Sequence, residues 1–130
     1  MKSDFIIVHV AADLDRANKL CKQLNSLGYE GSLFNEHCLI QDLNRARHVL
    51  LCISKSFSDK NFLGVKKVVT DMWLKTRKFR INPVHLDTKI HLDEKVKGHF
   101  YGLMQFSSFY FGTKHFESDV KKEFEKYLRL

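Results

Sequence analysis

Residues 4–27, DFIIVHVAADLDRANKLCKQLNSL, constrain the fold most, because they hold a strand, a polar turn and an amphipathic helix in direct succession. Phe5, Ile6, Ile7, Val8 and Val10 make a nearly unbroken apolar run, the pattern of a central strand covered on both faces. After Ala11, Ala12 and Asp13, apolar residues recur at helical spacing at Leu14, Ala17, Leu20, Cys21, Leu24 and Leu27, which predicts one buried stripe. Asp13 is expected to cap the first turn through its carboxylate. Gly28 supplies the left-handed residue that closes many helices. The unit reads as the first half of a βαβ crossover.

The alternation continues along the chain. Residues 29–34 (YEGSLF) predict a short second strand, and Asn35, Glu36, His37 and Cys38 a turn before a brief helix with Ile40, Leu43 and Ala46. Residues 48–54 (HVLLCIS) form a second continuous apolar run, hence another central strand, and 54–61 (SKSFSDKN) a loop of small polar residues at its carboxyl end. Phe62, Val65, Val68, Val69, Met72 and Trp73 share one helical face and predict a third helix ending near Arg77. Residues 80–86 (RINPVHL) read as a strand, and Pro83, the only proline, places it at the periphery of the sheet. Residues 87–97 are polar and carry no clear pattern. Residues 103–111 (LMQFSSFYF) predict a last strand, turned by Gly112 and Thr113, and Phe116, Val120, Phe124, Tyr127 and Leu128 a final helix packed by one face. This order predicts an α/β, flavodoxin-like three-layer domain with a five-stranded, mostly parallel sheet and helices on both faces. With 130 residues the chain is expected to be one domain, 1–130.

Several function classes lose support on composition and motifs. The formal net charge of +7 invites an anionic partner, and the densest basic cluster is KTRKFR at 75–80, with Lys66 and Lys67 upstream. No nucleic-acid-binding motif accompanies it, so a solvated face or a surface for an acidic protein is the expectation, and nucleic acid is not. Cys21, Cys38 and Cys52 are odd in number and lack CxxC spacing, which favours buried free thiols over disulfides or metal ligands. No apolar run is long enough to span a bilayer, and the N-terminal segment runs into a charged helix before it could serve as a secretory signal, so a cytoplasmic location is expected.

The first turn has no glycine for a dinucleotide pyrophosphate, no GxxxxGK[ST] element occurs, and the third strand ends at Ser54 where a phospho-receiver needs an acid. The seven histidines are scattered without an i, i+4 pair, and His37 beside Cys38 lacks a third group to orient it. Neither a metal nor a cofactor is expected.

The residues do resemble a family. DFIIVHVAADLDRANKLCKQL is similar to the first box of Toll/interleukin-1 receptor (TIR) domains, in which a hydrophobic strand runs into a short acidic turn and helix. LIQDLNRARHVLLCISKSF is similar to the family's second helix, third strand and serine-rich loop, and INPVHL to its Ile-Pro-containing fourth strand. The resemblance covers essentially the whole chain and is nearest to the adaptor branch. It implies a non-catalytic protein-protein interaction module in innate immune signalling. The partners would be other TIR domains, receptor or adaptor, or a second copy of this chain; an anionic lipid surface is a further implied partner.

Two boxes are altered. The loop after the second strand, a main partner-binding surface in the family, is reduced to Asn35, Glu36, His37 and Cys38 without its Arg-Asp and Pro-Gly pattern, and the third box keeps Phe116 but has Glu117 in place of Trp. Some TIR domains cleave NAD with a glutamate on the third helix, four residues after an aromatic. Phe62 or Leu63 at the aromatic position puts Lys66 or Lys67 at the glutamate, where a cation cannot accept the ribose hydroxyls. An NAD-cleaving hydrolase with a non-standard acid, Asp71, is the alternative. The implied contact residues are Asn35, Glu36, His37 and Cys38, then Ser54, Ser56 and Ser58, then Lys66, Lys67, Lys75, Arg77, Lys78 and Arg80.

Overall fold

The computed structural model describes residues 3–58, 60–87 and 108–128, and of residues 57, 58, 60–62, 127 and 128 it describes the backbone alone. Strand β1 (Ser3–Val8) leads through a 3₁₀ turn (Ala11–Asp13) into α1 (Leu14–Ser26), then β2 (Gly31–Leu33). A second 3₁₀ turn (Glu36–Cys38) precedes α2 (Leu39–Arg45) and β3 (Ala46–Ile53); a third (Lys55–Ser58) precedes α3 (Lys60–Thr76) and β4 (Arg80–His85). Strand β5 (Phe109–Tyr110) and α4 (Phe116–Leu128) follow.

All five strands are parallel, in the order β2-β1-β3-β4-β5, which is the flavodoxin-like arrangement. Side chains alternate between the two faces of each strand, so the apolar runs of β1 and β3 feed two cores at once. Ile6, Val8, Val49, Leu51, Ile53 and Ile81 pack with Leu39 and Leu43 of α2 and Val69 of α3. Phe5, Ile7, Leu50, Cys52 and Val84 pack with Ala17, Leu20 and Leu24 of α1 and Phe116, Val120 and Phe124 of α4. The three-layer α/β architecture expected from the sequence is thus present.

Differences from expectation are local and have physical causes. Leu14 is exposed because α1 begins there at the rim of the sheet, and the stripe is carried by Ala17, Leu20 and Leu24. In α2 the buried residues are Leu39 and Leu43; Ile40 points outward, and Ala46 already opens β3. Strand β4 is paired on both sides rather than peripheral. Pro83 lies opposite Leu51 of β3, and a proline removes a single ladder donor, so the strand keeps described pairs on both sides. Gly28 does take the left-handed conformation, φ 97°, just past α1. Of the cysteines only Cys52 is buried; Cys21 and Cys38 are half-buried, and all three are free thiols. Residues 88–97, for which the sequence carries no clear pattern, and the first part of the strand expected over 103–111 lie outside the described residues.

Candidate functional site

The carboxyl ends of the strands are where an open parallel sheet places its chemistry, at the point where the strand order reverses. Here that point lies between β1 and β3, and a polar network fills it. Asp13, at the end of the turn after β1, is 3% exposed, and its side chain makes no capping bond to α1. Its carboxylate instead accepts a short hydrogen bond from Ser54 Oγ beyond β3 and a second, at 2.8 Å, from Arg16 Nη2. A buried carboxylate without such donors would be costly, so the interior position dictates the partners.

Arg16 extends the network to the exit of β4. Its Nη1 donates to Asp87 Oδ1 at 2.5 Å and to the Leu86 carbonyl at 3.4 Å. Asp87 Oδ2 also accepts from the Lys55 backbone N–H at 3.4 Å, while Ser54 Oγ accepts from the Ser56 N–H at 3.2 Å. The Asp87 hydrogen bond raises the guanidinium further above its ordinary value. Burial opposes ionisation of Asp87, yet the bond to Arg16 and its charge outweigh that and hold the carboxyl below its usual range. The crevice is therefore lined by groups that already satisfy one another. Among the described residues no group of three or more His, Cys, Asp or Glu side chains is arranged to hold a metal ion.

Sequence reasoning missed this cluster. The i, i+3 pairing of Asp13 with Arg16 is readable in a helical register, but Ser54 and Asp87 lie 41 and 71 positions from their partners. Ser54, expected as a contact residue on a surface loop, is completely buried. It anchors the 3₁₀ turn beneath Ser56 instead of facing a partner; the side chain of Ser58 lies outside the described residues.

The second feature is an open groove of about 460 Å³ between the second 3₁₀ turn, the start of α2 and α3. It is lined by Glu36, His37, Cys38, Leu39, Ile40 and Gln41, with Val68 of α3 as the far wall. Asn35 shapes the turn: its side-chain oxygen accepts from the His37 N–H at 2.9 Å, and its own N–H donates to Asp42 at 3.0 Å. The short turn 35–38 is thus a capped, defined structure, and Ile40, 58% exposed, stands on its rim.

The basic residues divide between locations. Lys66 is half-buried, and burial pulls its ammonium down to about 8, whereas Lys67 is exposed on the same helix. Lys75, Arg77, Lys78 and Arg80 are exposed at the far end of α3 and the start of β4. The structure therefore joins Glu36, His37 and Cys38 with Val68 of α3 in one groove, with Asn35 holding the turn beside it, but leaves the 75–80 cluster at the opposite end of the sheet.

No family model matches the sequence, and no curated protein matches it. Nineteen solved chains are similar to it. One comes from the structure of the activated Roq1 resistosome directly recognizing the pathogen effector XopQ, in its TIR domains: it shares 12% sequence identity, 98% of each chain is covered, and the TM-score is 0.63. The chain has the fold of TIR domains.

Proposed function

We propose that this chain is a TIR-type interaction module of the cytoplasm, acting without catalysis in innate immune signalling by associating with other TIR domains or with a second copy of itself. The observation that carries the reading is the carboxyl end of the sheet. Its crevice is filled by the Asp13–Arg16–Asp87 network, while Leu14, Ile40 and Tyr110, at 46%, 58% and 48% exposure, project from the same end. A site whose polar groups are consumed internally offers little to a small substrate, whereas exposed apolar residues beside a shaped groove suit a protein partner. No helix among the described residues is long and apolar enough to cross a membrane, which is compatible with the cytoplasmic location.

Lys66, or Lys67 in the alternative register, supports the absence of NAD cleavage, since the family's catalytic carboxylate would stand there. The assembled state named for the Roq1 TIR domains supports association as the mode of action.

The test has two arms. Light scattering over a range of concentrations is expected to show reversible self-association, or binding to an added TIR domain, that Ile40→Glu weakens; a chain that stays monomeric and binds no TIR domain removes the reading. Incubation of concentrated protein with NAD is expected to release no nicotinamide. Release that disappears in Asp71→Ala would establish the hydrolase instead.

A further inference from the structure

Helix α3 is lightly packed before Val69, the only one of its described side chains that is fully buried, whereas α1 and α4 each bury three. Leu63, Val65, Lys66 and Val68 are half-buried, and Gly64 and Lys67 are exposed. Gly64 weakens these turns from within, because glycine gives up more backbone freedom in a helix than any other residue. No neighbouring atom comes within 4 Å of the place its Cβ would take, so packing does not require a glycine. Lys66 adds a second cost, since burial disfavours its ammonium form.

The chain entering these turns is held from outside the helix. The 3₁₀ turn Lys55–Ser58 leads into α3, and its first two N–H groups reach back into the polar network. Lys55 N–H donates to Asp87 Oδ2 at 3.4 Å, and Ser56 N–H to Ser54 Oγ at 3.2 Å. Asp87 is held in turn by the Arg16 guanidinium, which donates from Nη1 to Oδ1 at 2.5 Å and from Nη2 to Oδ2 at 3.4 Å. One carboxylate therefore ties α1 to the turn that sets the start of α3. Val68, about two helical turns further on, is the far wall of the groove.

From this arrangement we infer that Asp87, held by Arg16, is a clasp that seats the first turns of α3 and so places the Val68 wall of the groove. Asp87 is thus a positioning residue for the association proposed above, although it does not line the groove. The seating of α3 stands on these contacts alone; its effect on association rests on that reading. Arg16 and Asp87 are 36% and 25% exposed, so the clasp opens at small cost and can shift the groove without unfolding the domain.

Amide hydrogen exchange of the full chain, followed residue by residue by NMR, tests the seating. N–H groups from Gly64 onward have partners within α3, so they report on its first turns. Asp87→Ala is expected to speed exchange at Lys55 and over 64–68 by up to about fivefold and to leave β1 and β3 unchanged. Adding Gly64→Ala is expected to slow 64–68 again by about two- to fivefold. Salt at about 1 M is expected to speed exchange at Lys55 in the parent and not in Asp87→Ala.

Light scattering tests the consequence. Asp87→Ala is expected to weaken association severalfold and Gly64→Ala to restore it, whereas Ile40→Glu stays weak with or without Gly64→Ala. Unchanged exchange over 64–68 in Asp87→Ala would overturn the clasp, as would acceleration spread equally over β1 and β3. Weaker association without faster exchange would make Asp87 a contact residue. That outcome, or faster exchange with full association, would overturn its positioning role. A parent that binds neither itself nor a TIR domain removes the proposed function, and the exchange rates still decide the clasp.

Discussion

Arg16 and Asp87, 71 positions apart in the sequence, meet at 2.5 Å beyond the ends of β1 and β4. Because Arg16 also holds Asp13, and Asp13 holds Ser54, one guanidinium joins the exits of β1, β3 and β4. The switch point of the sheet is thereby closed by charge pairing rather than left as an open cradle.

The two carboxylates of this network should differ in what they contribute. Asp13 is 3% exposed, and its removal strands the Ser54 hydroxyl and one side of Arg16; Asp13→Ala is expected to destabilise the fold by about 2–3 kcal/mol. Asp87 and Arg16 are 25% and 36% exposed, so water replaces much of what Asp87→Ala removes, and about 1 kcal/mol or less is expected. Urea unfolding of both variants checks the order. Equal losses would mean that Asp13 is not the buried hub.

Much of this fold is readable from hydrophobic period alone. The runs at Phe5–Val8 and Val49–Ile53 needed no tertiary information, because a strand covered on both faces must be apolar at consecutive positions. The polar network was not readable in the same way. Asp13 precedes a helix, and in sequence a capping carboxylate and a buried ion partner look alike. Which one it becomes depends on Ser54 and Arg16 arriving beside it. The place of β4 is not legible for a similar reason: one proline removes a single ladder donor, and the strand still pairs with β3 and β5. The basic residues were legible as a cluster. That they divide between the two ends of α3 follows from where the helix begins and stops.

Gly31 of β2 lies opposite Phe5 of β1. A Cβ added there would meet the Phe5 carbonyl oxygen and come within 2.5 Å of Phe5 Cγ. Phe5 is completely buried between β1 and the α1 layer and cannot retreat. Gly31→Ala is expected to cost about 2–3 kcal/mol, read as a lowered urea midpoint. Unchanged stability would show that β2 shifts outward freely.

Acidification should destabilise the fold through two histidines. Burial pulls both His48 and His85 below the ordinary imidazole value, His48 against the opposing effect of its 2.8 Å contact with Asn82. Below about pH 6.5 the unfolded chain therefore binds protons that the folded chain refuses, and stability is lost as pH falls toward the folded values. Above pH 6.5 neither histidine contributes a slope. Urea midpoints at pH 7.5, 6.0 and 5.0 in the parent and in His48→Phe measure this, and the variant is expected to lose less between the first and last. A parent whose midpoint does not move would contradict the burial of His48 in neutral form.

Arg77 sets a backbone cost against a side-chain contact, and two substitutions separate them. The residue closes α3 through its N–H to the Trp73 carbonyl at 2.9 Å while holding φ at 53°. Glycine adopts that conformation without the steric penalty of about 1 kcal/mol that a Cβ incurs. The guanidinium over Trp73 returns about 0.5–1 kcal/mol at an exposed site. Arg77→Ala keeps the penalty and loses the contact, so a loss of about 0.5–1 kcal/mol is expected. Arg77→Gly loses both together and should stay within about 0.5 kcal/mol of the parent. The glycine variant should thus be the more stable of the two by about 1 kcal/mol in urea unfolding. Equal stability of the two would mean that residue 77 leaves the left-handed region once the arginine is gone. The cation over Trp73 would then be what holds the turn.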